Sequence, residues 1–66
     1  MSDDLATRTI RQLEDIVSSN ALPEHTMELL RMSLYDAQEK KAAGHDEEAI
    51  TIAAQALQTA QNASTK

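Results

Sequence analysis

The sequence predicts an all-α fold, a small three-helix domain in which the second and third helices form an antiparallel hairpin. Three observations carry this. Apolar residues recur at spacings of three and four in three blocks, residues 4–19, 23–43 and 46–61. Two short breaks, Asn20-Ala21-Leu22 and Gly44-His45, divide the blocks, and links that short turn consecutive helices back on one another. Finally, Phe, Trp and Cys are absent, so any core must be built from Leu, Ile, Val, Met and many Ala. A chain of 66 residues holds one domain at most, and at that size only about 60% of the unfolded surface is buried. Without disulfides, association is the remaining source of stability, and a homodimeric helical bundle is the expected assembly. The helical domain is expected over residues 1–61, with 62–66 as a frayed tail.

The first helix opens on Ser2-Asp3-Asp4, residues that cap a helix start and whose acids complement the positive end of its dipole. On a wheel of 100° per residue, Leu5, Ala6, Thr9, Ile10, Leu13, Ile16 and Val17 fall within roughly 140°, opposite Arg8, Arg11, Glu14 and Asp15. Ser18-Ser19-Asn20 ends it, since Asn tolerates the left-handed conformation common at a helix C-terminus.

The second helix, from Pro23 to Ala43, has two apolar sides. Pro23 suits a first helical position, and Glu24 and Glu28 near the start, with Lys40 and Lys41 near the end, suit the dipole. Asp36 and Lys40 are spaced to pair. Met27, Leu30, Leu34 and Ala37 form one seam. Leu29, Met32 and Tyr35 lie off that seam, with charged residues interleaved between the two sets. If the neighbouring helices leave it open, the Leu29–Met32–Tyr35 side is a patch of the kind that marks an interface.

Gly44 is placed as a left-handed cap and Asp46 as the N-cap of the third helix, followed by Glu47 and Glu48. That helix carries a wide apolar arc, roughly 200°, of Ala49, Ile50, Ile52, Ala53, Ala54, Ala56, Leu57 and Ala60. Its small residues allow a neighbour to approach at the short end of the ~8–10 Å interaxial range. The arc exceeds what one neighbour needs, so Ile52 and Ala56 join Leu29, Met32 and Tyr35 as the expected protein-binding residues. The run Gly44-His45-Asp46-Glu47-Glu48-Ala49-Ile50, with Ala53 and Ala56-Leu57, resembles the loop and second helix of a tetratricopeptide-type hairpin. The preceding helix departs from that pattern at Asp36, Ala37 and Lys40, and one copy stands where about three are needed. The likeness is read as the shared physics of a tight hairpin rather than family membership, and it implies a surface able to receive a peptide or helix.

Composition excludes several functions. A net charge of −5 opposes nucleic acid. The hairpin's second helix has no Lys or Arg and begins with three acids, which rejects a helix-turn-helix reading. Mimicry of nucleic acid by the acids is less natural than a solvated surface, since several pair with bases at helical spacing. No apolar run approaches the ~20 residues of a membrane span, and MSDDLATR lacks the basic-then-apolar order of a signal peptide, so a cytoplasmic protein is expected. The glycosylation triplet Asn62-Ala63-Ser64 is then read as chance.

No chemistry-bearing constellation is legible. His25 and His45 are twenty residues apart without HxxxH spacing or Cys, so no metal is expected. One glycine cannot build a phosphate-cradling loop, and no cofactor or small-molecule substrate is expected. Nothing resembles the strained turn that presents a nucleophile, and the chain is too small for a triad and a closed pocket together. The expected function is therefore non-catalytic: a small acidic protein-binding module that regulates or inhibits a partner by surface occlusion, working as a homodimer. Met27 and Met32 add adaptable side chains to that expectation. The alternative is a structural subunit or assembly chaperone that folds fully only within a larger helical complex.

Overall fold

A computed structural model describes residues 4–64 of the chain. It is 87% helical, with no strand among the described residues. Three helices follow in order: α1 (Leu5–Ser19), α2 (Glu24–Ala42) and α3 (Asp46–Ser64). The most extensive contact is between α2 and α3, as the hairpin requires. α1 lies across both partners and leans more on α3 than on α2.

Each end is set by local chemistry. Asp4 is the N-cap of α1, its carboxylate accepting the Thr7 amide at 2.7 Å. Asn20 closes the helix in the left-handed conformation, at φ 52. Pro23 stands one place outside the helix it was expected to begin, in extended backbone at φ −56 and ψ 151, with its carbonyl accepting the Met27 amide at 2.9 Å. A cap carbonyl needs no N–H, so proline serves there as well as in the first turn. At the other end Gly44, at φ 86, completes a paired cap. Its amide donates to the Lys41 carbonyl at 3.0 Å and the His45 amide to the Lys40 carbonyl at 2.8 Å, the two bonds of a Schellman motif.

Two expectations about the bounds of α3 are corrected. Asp46 is the first residue of α3, not its cap; the backbone carbonyl of His45 takes the capping role, accepting from the Ala49 amide at 3.0 Å. α3 also runs to Ser64, beyond the expected end at residue 61, because Gln61-Asn62-Ala63 continues the helix without a Gly or Pro to stop it. The capping expected of Ser2 and Asp3, and residues 65–66 of the expected tail, lie outside the described residues.

The buried core is Ala6, Ile10, Leu13, Met27, Leu30, Ala37, Ala49, Ala53, Ala56 and Ala60. Ile16, Val17, Leu22, Leu34, Ile52 and Leu57 pack partly buried against it. On α3 the buried alanines fall at spacings of four, three and four, forming a narrow seam of methyl groups. A seam without bulk lets α1 and α2 lie close over α3. The widest side chains, Leu13, Met27 and Leu30, come from the two helices that lie on it. Polar contacts tie α1 to the C-terminal half of α2: the Gln38 amide donates to the Glu14 carboxylate at 2.9 Å, and the Lys41 ammonium meets Asp4 at 3.3 Å.

Candidate protein-binding face

The outer side of α2 is the site to which the fold points. At about 100° per residue, Met32 stands roughly 180° from the midpoint of the Met27–Leu30–Leu34–Ala37 seam. That seam is inward: Met27, Leu30 and Ala37 are buried and Leu34 is half-buried. Met32 is therefore aimed at solvent, and it is 69% exposed. Tyr35 and Leu29 stand about 60° to either side of it, at 65% and 44% exposed. The neighbouring helices leave all three uncovered. Arg31, Met32, Ser33, Tyr35 and Asp36 line a shallow open depression on this side of the helix.

The polar residues on this face belong to the same turns. Glu28 and Glu39 fall between Tyr35 and Met32 on the wheel, and His25 and Asp36 between Met32 and Leu29. The Lys40 ammonium sits 3.7 Å from Asp36, the pair expected from their spacing. The Glu39 carboxylate, as an acceptor for the phenol proton and as a like charge to a phenolate, pushes the Tyr35 phenol above its usual value.

Of the five residues expected to bind protein, the structure brings Leu29, Met32 and Tyr35 together on one exposed face. Ile52 is elsewhere, half-buried on α3, beside Glu47, Glu48 and Thr51 at a second shallow depression. Ala56 is corrected outright: it is 4% exposed and belongs to the core. The broad arc of α3 looked like surplus because the wheel counts residues, not volume. Alanines cover little area each, and two helices, not one, lie over them. Leu5 is the residue sequence reasoning misplaced in the other direction, 59% exposed in the first turn of α1 although it falls in that helix's apolar arc. Its position at the very end of the helix, beyond the reach of neighbours, was the available signal.

A further groove lies between α1 and α2, lined by Thr7, Ile10, Arg11, Glu14, Gln38, Lys41 and Ala42. Two of these, Thr7 and Lys41, also contact Asp4, whose carboxyl is held at about 2 rather than the usual 3.8 by hydrogen bonds to Thr7, with a smaller contribution from Lys41. The groove is bridged by the two contacts that close α1 onto α2, so its polar groups serve the fold. His25 and His45 are exposed at helix starts on different elements. Among the described residues no three His, Asp or Glu side chains converge where they could hold a metal ion. No helix there is long and apolar enough to cross a membrane.

The fold and its face define a class: a small three-helix unit with an alanine-rich interior and an exposed apolar triad on its central helix. The chain belongs to the PA14_33160 family, whose model matches residues 4–63. That span begins at the Asp4 cap and reaches the last turn of α3, so the family is defined by the whole three-helix unit. No curated protein and no solved structure matches the chain.

Proposed function

We propose that this protein is a non-catalytic binding module that regulates or inhibits a partner protein by covering part of its surface. The observation that carries the reading is the exposure of Leu29, Met32 and Tyr35 together on the solvent side of α2. Side chains of this size contribute about 1.5–3 kcal/mol each when fully buried. Three of them stand outside while six of the ten buried core residues are alanine. A binding partner recovers that area, and methionine adapts its shape to what it meets. The proposal covers both a second copy of the chain and a different protein as the partner.

The test is parallel capture from the native cell with the wild-type protein and with Met32→Glu. The partner should be retained by the first and lost with the second, while the variant keeps its helical circular dichroism. Adding purified wild-type protein should then lower the partner's own activity. Equal recovery with both forms removes the face from the function.

The small core supports a second reading, a subunit or assembly chaperone that completes its folding within a larger helical complex. Circular dichroism on the isolated chain separates the two. A cooperative melt supports the first reading, and low or gradually lost helicity the second.

A further inference from the structure

We infer that Met32 is a selective and reversible oxidation site, at which a peroxide turns the centre of the outer face of α2 polar while the fold stays intact. The inference stands apart from the binding role proposed above and concerns the chemistry of the face itself. The chain has no cysteine, so its sulfur chemistry is that of thioethers. Met27 and Met32 both lie on α2, about 140° apart around the helix. Their surroundings are opposite. Met27 is 0% exposed and belongs to the same core cluster as Ile10, Leu13, Leu30 and the buried alanines of α3. Met32 is 69% exposed and helps line the open depression that also holds Arg31, Ser33, Tyr35 and Asp36.

Oxygen transfer needs the oxidant at the sulfur. A thioether lone pair attacks one oxygen of hydrogen peroxide, and the S–O bond forms as the O–O bond breaks. The departing hydroxide takes the proton of the transferred oxygen and leaves as water. Sulfur loses two electrons and the peroxide gains them, so one thioether and one peroxide give one sulfoxide and one water. Solvent reaches position 32 directly. Position 27 is reached only when the core opens, and opening a core position costs up to the full unfolding free energy. The product also suits one site and not the other. A sulfoxide is polar and chiral. At Met32 its oxygen is hydrated, whereas at Met27 it would set an unpartnered acceptor among apolar side chains. Because Leu29 and Tyr35 stand to either side of Met32, one added oxygen divides the apolar surface of the face at its centre. The way back is reduction by methionine sulfoxide reductases, in which two thiols become a disulfide and the oxygen leaves as water.

The test is dilute hydrogen peroxide on the full chain, followed by tryptic mass mapping. Cleavage after Arg31 places the two methionines in separate peptides, 12–31 and 32–40. Met32 should gain one oxygen at least about tenfold faster than Met27, and in urea the two rates should converge. Helical circular dichroism should be unchanged once Met32 is oxidised, while retention on a hydrophobic-interaction column should fall. Met32→Leu keeps the apolar surface without the sulfur and should lose most of that fall. The reductases for both sulfoxide epimers, supplied with dithiothreitol, should restore the original mass of peptide 32–40. Four results each overturn the inference: equal rates at the two positions in the folded chain, loss of helix on oxidation of Met32, an equal fall in retention with Met32→Leu, or an added oxygen that the reductases do not remove.

Discussion

Two substitutions two residues apart on α2 test the assignment of its faces. Leu30 is 1% exposed and Met32 is 69% exposed, so the same helix turn carries one core and one solvent residue. Leu30→Ala deletes buried methyl groups in the core and leaves a cavity, and such changes cost about 2–5 kcal/mol. Six of the ten core residues are alanines with little side chain to move into the space, which places the cost near the middle of that range, about 3 kcal/mol. A chain of 66 residues has a total stability on the order of 3–10 kcal/mol, so this change removes a large share of it. For a domain of this size each kcal/mol corresponds to about 4–8 °C in Tm, giving a fall of roughly 12–24 °C. Met32→Glu removes no buried contact, and its effect should stay within about 0.5 kcal/mol, or some 4 °C. Thermal and urea melts followed by circular dichroism, at two protein concentrations, measure both. A Met32→Glu variant as unstable as Leu30→Ala would refute the division of α2 into an inner and an outer face. A destabilisation that appears only at the higher concentration would instead place Met32 in an interface between copies.

The other predictions concern the devices that shape the bundle. Gly44→Ala should destabilise by about 1 kcal/mol, because the cost is that of a left-handed backbone alone; a Cβ there meets nothing within 4 Å, and a larger loss would point to an unseen contact. Ala53→Leu forces extra volume into the core, where Ala53 is fully buried, and should cost about 1–3 kcal/mol by urea denaturation. Asp4 is ionised with its carboxyl held at about 2 in the folded chain against an ordinary 3.8. Its contribution is therefore complete above about pH 4 and is lost as pH falls toward 2. Asp4→Asn should lower Tm at neutral pH and flatten the Tm–pH curve in that window, whereas an unchanged curve would sever the cap from stability.

Much of the fold was legible because it is written in local signals. Asn20 and Gly44 each mark a left-handed turn, and the helices begin and end within a few residues of them. The inner seam of α2 was readable from its spacings, since periodicity alone decides which residues share a side. What periodicity does not give is how much of an arc the neighbours cover. Leu5 and Ala56 show the two directions of that error: a large residue at a helix end escapes cover, while a small one in mid-helix is enclosed by two partners. The α3 boundary was missed for a related reason. Asp46 has the chemistry of a cap, but the Schellman turn at Gly44 sets the chain direction one residue earlier and gives the role to a backbone carbonyl.

The outer face of α2 is informative because of what the core lacks. Burial of a methyl group contributes far less than burial of a Leu, Met or Tyr side chain, roughly in proportion to apolar area. Stability of the isolated chain gives no reason for bulk at position 32, where the side chain buries little. This chain has Ala53 and Ala56 inside and Met32 and Tyr35 outside. The alanines inside are understandable as the condition for close helix packing. The bulk outside has no such internal account, and it alternates with carboxylates rather than standing as an isolated residue. Its placement gains the isolated chain nothing in the core, and that is the ground on which a binding role is proposed for this face.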